Sequence, residues 1–248
     1  MLRGLVTALR TLTVFPVPGR DTVTFSNALF WFPVAGLLLG LLQAFLAYGI
    51  ALSGWNELAA VLTVTGGLVF TRGIHADGLA DTADGFLGGR TREAALRIMK
   101  DSCLGTFGVL ALAVSMLLKW IAVLKLVQTG SFAIIAAGVL LARLVQVMLA
   151  SSLPYARSEG GTAGAFVQGA GKAHLLISSL LTLLFLFLLF HDNPFMLAVV
   201  VPAALAAVLL AGVSAFSKIG GVTGDVLGAG SELTEMFVWI AGALFALL

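Results

Sequence analysis

The chain has 248 residues, 60% of them hydrophobic and 10% charged, with a mean hydropathy of +1.08 and a formal net charge of +2. A soluble domain carries about 25% charged residues, so this composition excludes one and indicates an all-α, polytopic integral membrane protein. The lone cysteine, Cys103, excludes an intrachain disulfide framework. No polar or Pro/Gly/Ser-rich linker divides the chain, which therefore reads as a single membrane domain over 1–248. Its partners are the lipid bilayer and small molecules, with no nucleic acid among them.

Residues 1–20 place Leu2, Leu5, Leu9 and Leu12 at helical spacing, with Arg3 and Arg10 on another side. This is the pattern of a short amphipathic helix, either lying in the membrane interface or packed on its neighbours. Arg10 interrupts the apolar run and no small-residue cleavage pattern follows, so the segment is not a signal peptide that is removed. Apolar runs near the 20 or so residues that a bilayer core demands recur at 29–52, 57–74, 105–128, 132–153, 174–191, 195–213 and 233–248. They predict about seven spans, or six, since Gly66 and Gly67 interrupt the second and the last is short.

Three polar segments, 75–104, 154–172 and 214–232, lie between the spans. With seven crossings they share one side with the N-terminus. That side holds Arg90, Arg92, Arg97, Lys100, Arg157, Lys172 and Lys218, while the opposite turns are nearly free of bases. The asymmetry predicts that the N-terminus and all three polar segments are cytoplasmic.

The first polar segment opens HADGLADTADGFLGG. If 76–88 is helical, Asp77, Asp81 and Asp84 stand at i, i+4 and i+7 on one face, where like charges repel unless something cationic offsets them. One reading leaves them solvated or paired with nearby arginines. The other gives them a hard divalent ion, Mg²⁺ or Mn²⁺, because only oxygen donors are present, and such an ion is shared with substrate phosphates. Gly78, Gly85, Gly88 and Gly89 would then leave room for a large ligand. His75, off the aspartate face, reads as a structural hydrogen-bonding residue.

The segment continues RTREAALRIMKDSCLGTFG, in which Arg97, Lys100 and Asp101 stand nearest the next span and are the first candidates for contact with a phosphate-bearing substrate. Arg90 and Arg92 suit anionic lipid headgroups equally well. Arg157 and Glu159 lie in a small-residue loop, LPYARSEGG. In KIGGVTGDVLGAGSELTE, Asp225 stands among glycines, a costly setting for a charge in a bilayer, and no nucleotide-loop fingerprint accompanies it. Glu232 and Glu235 read as acids at the positive end of the last helix.

HADGLADTADGFLGG, RIMKDSCLGTFGV, LPYARSEGG and GGVTGDVLGAGSELTE, in this order, closely resemble cobalamin synthase, the adenosylcobinamide-GDP ribazoletransferase family. The resemblance runs from ALRTLTVFPVP to the last helix. It implies a Mg²⁺-requiring enzyme of the bacterial or archaeal inner membrane, acting late in vitamin B12 assembly. Such an enzyme joins adenosylcobinamide-GDP to α-ribazole or its 5′-phosphate and releases GMP. On that chemistry Asp77, Asp81 and Asp84 coordinate the metal, and Asp84 or Asp101 accepts the proton of the attacking hydroxyl. Arg97, Lys100, Arg157 and Asp225 contact substrate and phosphate.

Two positions depart from the family pattern. Val14 stands where an arginine is usual two residues before the first proline of PVP, and Cys103 where KDSR is usual, so each removes a cation. Two rival classes differ from this pattern. A lipid-modifying CDP-alcohol phosphotransferase usually has an arginine soon after DG-x-x-A, whereas here Asp81 follows DGLA directly. A secondary transporter would be expected to show midplane acids and an inverted repeat, whereas the acids cluster on one side and no repeat is visible. The composition is compatible with a homo-oligomer.

Overall fold

The computed structural model describes residues 2–246, which form eleven α-helices: α1 (Leu2–Leu12), α2 (Phe32–Ala51), α3 (Asn56–Phe70), α4 (Ile74–Gly88), α5 (Arg92–Ile98), α6 (Thr106–Gln128), α7 (Phe132–Ser152), α8 (Gly164–Val167), α9 (Lys172–Leu189), α10 (Leu197–Ile219) and α11 (Gly224–Phe245). Among those residues the only β pairing is one isolated parallel bridge, Tyr155 with Val222. α1 turns Gly4, Thr7 and Ala8 inward against a 3-10 segment, Phe25–Trp31, that leads into α2, so it is packed on its neighbours.

α7 is the hub, buried almost without a break from Ile134 to Ala150, with α2, α9, α10 and α11 around it. α2 approaches closely because Gly40 has no side chain: an added Cβ would lie 2.5 Å from the Ala136 carbonyl oxygen. The outer faces of α6, α9 and α10 expose Leu117, Leu183, Phe187 and Leu209. An apolar surface of this extent is stable against lipid, where the backbone polar groups are satisfied inside each helix.

The chain is therefore a multi-pass membrane protein. Five helical stretches are long and apolar enough to cross a bilayer, and a sixth arises if α3 and α4, bent by 87° at their junction, count as one span. Six, the lower of the two counts expected, falls within this range, and two local causes account for the shortfall from seven. The run at 57–74 stops at Phe70 because Arg72 and Gly73 take left-handed conformations, with φ of 56° and 68°, that turn the chain sharply. The expected polar stretch 214–232 is mostly helix, since α10 runs on to Ile219 and α11 begins at Gly224. The last helix is thus 224–245 rather than 233–248, whose final two residues lie outside those described, and its glutamates keep it off the apolar count.

The segment 75–104 is likewise mainly α4 and α5, and only 154–172 is largely irregular. The ends of α7 and α10 and the starts of α6 and α11 nevertheless meet at one end of the bundle.

Candidate active site

One short stitch assembles the site. α10 ends on Gly220, whose φ of 73° lets the chain reverse. Gly221 then meets Pro154: an added Cβ would lie 2.2 Å from the Pro154 carbonyl oxygen, so only glycine admits the approach. The Ala156 N–H donates to the Val222 carbonyl and the Val222 N–H to the Pro154 carbonyl, each at 2.8 Å. Thr223 caps α11, its Oγ1 accepting from the Val226 N–H at 3.3 Å. Asp225 falls in the first turn, where the helix dipole favours a carboxylate. The stitch sets Arg157 beside it, with Nη2 donating to Asp225 Oδ2 at 2.7 Å and to the Met99 carbonyl at 3.2 Å. Thr223 Oγ1 donates to the same carboxylate oxygen at 3.1 Å.

α4 lies against this turn. A Cβ on Gly78 would stand 2.7 Å from the Asp225 carbonyl oxygen, one on Gly85 2.3 Å from the Met99 side chain, and one on Gly89 2.6 Å from the Ala95 backbone. These glycines seat α4 against α11 and α5. The expectation that they clear room for a ligand is corrected, and only Gly88 has slack, with Ile98 at 3.6 Å.

Asp77, Asp81 and Asp84 lie along α4 as their spacing requires, but their surroundings grade from open to closed. Asp77 is exposed, Asp81 half-buried and Asp84 only 7% exposed. Asp84 Oδ2 accepts the Gly105 N–H at 2.7 Å and Oδ1 the Gly108 N–H at 2.9 Å. It thereby closes the N-terminus of α6, whose own cap residue, Gly105, has no side chain to offer. The open carboxylates are instead Asp77, Asp81 and Asp225, lying in one another's electrostatic field with Arg157 as the nearby cation.

Among the described residues no three His, Cys, Asp or Glu side chains stand close enough to hold an ion unaided. Oxygen donors in a half-open group instead fit a hard ion that keeps its waters and shares positions with phosphate.

Arg97, Lys100 and Arg157 do converge. With Arg92, Glu93 and Glu159 they line a cleft of about 450 Å³. Arg157 belongs to both groups and so joins the cationic cleft to the acids. Lys100 pairs with Glu159 at 3.2 Å, both largely exposed, a contact worth under about 1 kcal/mol that phosphate can displace. Arg92, expected equally as a lipid contact, is a strap: Nε donates to the Ile219 carbonyl at 2.8 Å and Nη2 to the Ala156 carbonyl at 2.9 Å. It satisfies the end of α10 and holds α5 to the stitch.

Asp101 is exposed and accepts the Cys103 N–H at 3.0 Å. Val14 is tied by its N–H to the Phe70 carbonyl at 2.7 Å and shares a groove with Arg72 and Arg10, so cations remain near that departure.

Sequence reasoning missed a second polar group. Glu232 and Glu235 are 4% and 7% exposed, and each accepts a hydrogen bond from Lys119 Nζ, at 2.6 and 2.7 Å. Arg143, 1% exposed, stands 3.9 Å from Glu235 and donates to Ser231 Oγ. The signal was present, since a lysine and an arginine inside apolar runs require acidic partners.

A family model described as cobalamin-5-phosphate synthase matches residues 4–243. The chain belongs to this family. It is 67% identical to the adenosylcobinamide-GDP ribazoletransferase of Pelodictyon phaeoclathratiforme, over 100% of this chain and 99% of the relative. It is 62% identical to the protein of that name from Chlorobium chlorochromatii, over 98% and 97%, and 37% identical to that from Syntrophobacter fumaroxidans, over 96% of each. No solved structure matches. The four motifs that carried the resemblance to the cobalamin-5-phosphate synthase family fall on α4, on α5 and the turn into α6, on the stitched loop and on α11, which are the elements of this site.

Proposed function

We propose that the chain is an adenosylcobinamide-GDP ribazoletransferase of late cobalamin biosynthesis. It joins adenosylcobinamide-GDP to α-ribazole or its 5′-phosphate and releases GMP, in the cytoplasmic membrane with its site facing the cytoplasm. The observation that carries the reading is Arg157, one guanidinium that links an oxygen-donor group on α4 and α11 to a cleft lined by Arg97 and Lys100. A diphosphate would need both halves, oxygen donors for a hard metal ion and cations for its own oxygens.

Asp77, Asp81 and Asp225 would hold the Mg²⁺, which when bound neutralises the diphosphate and polarises the phosphorus under attack. Arg97, Lys100 and Arg157 bind the remaining phosphate oxygens and align the group with the incoming ribose hydroxyl, and this positioning supplies most of the catalysis. The hydroxyl oxygen forms a bond to the phosphorus attached to the cobinamide, the bond to GMP breaks, and Asp101 takes the hydroxyl proton. Asp84, the other acid considered for that step, already accepts two backbone N–H groups. Neither the lipid phosphotransferase nor the transporter reading is favoured beside full-length similarity to this family.

The test supplies purified protein in lipid with adenosylcobinamide-GDP, α-ribazole and Mg²⁺. GMP is expected in equal amount to the cobalamin product, with release lost in EDTA and lowered about 100-fold or more by Asp77→Asn. Labelled corrinoid crossing the vesicle wall without GMP release would replace the reading with transport.

A further inference from the structure

We infer that Lys119, Arg143, Glu232 and Glu235 are positioning residues for the transfer site, a buried charge cluster that acts through His75 to fix the start of α4 and hold Asp77 against Asp225. The inference rests on the transferase reading for its kinetic consequence and on geometry for everything else.

α4 and α11 run antiparallel across two close contacts. Gly78 meets the Asp225 backbone, and Gly228 meets His75, where an added Cβ would lie 3.2 Å from the His75 Cα and carbonyl oxygen. From Asp225, α11 carries Glu232 and Glu235 about 10 and 15 Å further along at 1.5 Å per residue. A polar column therefore descends from the open acids, past His75, to the four charges.

His75 is 3% exposed, and its Nε2 has no partner. Gln43 Oε1 and Arg143 Nε are buried and unpaired in the same way. All three residues border one gap of about 10 Å³, with Lys119, Glu232 and Glu235, which is the space one water fills while bridging such groups. The first turn of α4 thus borders the cluster across a gap lined by polar atoms from α2, α4 and α7. Two cations face two anions, so the group is neutral as a whole, and losing one member leaves an uncompensated charge in the bilayer. Apolar side chains of equal volume would hold the helices together as firmly, but polar partners fix their register.

The experiment uses the full chain in nanodiscs and compares His75→Leu, the charge-balanced pair Lys119→Met with Glu232→Gln, and Lys119→Arg. Three quantities are read: amide hydrogen exchange over 74–80, the Mg²⁺ concentration for half-maximal GMP release, and kcat. His75→Leu and the balanced pair are expected to speed exchange over 74–80 about tenfold and raise half-saturating Mg²⁺ about tenfold, with kcat changed less than about threefold. Lys119→Arg should match the wild type in all three.

Folded variants with wild-type exchange, or with faster exchange and an unmoved Mg²⁺ requirement, would overturn the inference. So would failure of both altered proteins to fold beside a folded Lys119→Arg, since the cluster would then be structural alone. A wild type that releases no GMP defeats the transferase reading, while the exchange measurement still decides whether the cluster holds α4.

Discussion

Gly108 has no side chain, and Asp84 occupies the space. A Cβ there would stand 2.4 Å from Asp84 Oδ2 and 3.1 Å from the Ala80 carbonyl oxygen. Inside most helices glycine to alanine gains about 1 kcal/mol, but here the methyl would expel the carboxylate that closes α6. Gly108→Ala is therefore expected to destabilise the protein by about 1–2 kcal/mol, the usual worth of a lost cap. Unfolding in detergent measures it, and a gain in stability would show the cap to be idle. Cys103 gives a second residue-scale result. Its thiol is held above the ordinary range by a hydrogen bond to Asp101 and by that carboxylate's charge. Less thiolate is present near pH 8 than in a free cysteine, so alkylation should be slow there and should quicken severalfold in Asp101→Asn. Equal rates in the two proteins would remove Asp101 from the neighbourhood assigned to it.

At the scale of elements, the stitch between 154–156 and 220–223 decides where Arg157 goes. Gly221→Ala drives a methyl into the Pro154 carbonyl and should cost about 2 kcal/mol, the sum of two backbone hydrogen bonds. It should also weaken substrate binding, because Arg157 then leaves Asp225. A variant that keeps wild-type KM and unfolding temperature would contradict the stitch. The helix at α4 was legible, since three aspartates at i, i+4 and i+7 predict one face and the structure has it. Which aspartate stays open was not legible, because Asp84 finds its partners 21 and 24 residues away, across the turn into α6. The glycines misled for a related reason. In a loop they suggest room, whereas Gly78 and Gly89 let the backbone of α4 touch those of α11 and α5. The same bias hid the first turns of α11, where Thr223 and Asp225 carry an ordinary N-terminal signal.

For the whole molecule, composition was enough to give an all-helical membrane protein, and the motifs were enough to give the family. The number of spans was less legible, because hydropathy alone does not reveal a left-handed pair at Arg72 and Gly73 or a last helix that brings its glutamates to a buried lysine. Arg97, Lys100 and Arg157 were legible as cations but not as one cleft, because a loop stitched to a distant turn delivers Arg157. The proposed reading has Asp225 on α11 join the α4 acids as the metal-bearing group, while Asp84 serves the fold. Its most direct test is a Mg²⁺ titration of GMP release in Asp225→Asn and Asp84→Asn, with unfolding temperatures beside it. Asp225→Asn should raise half-saturating Mg²⁺ more than about tenfold at a nearly unchanged unfolding temperature. Asp84→Asn should lower the unfolding temperature and move the Mg²⁺ requirement less than about threefold. The opposite assignment, with Asp84→Asn abolishing the metal dependence and Asp225→Asn leaving it intact, would contradict the account.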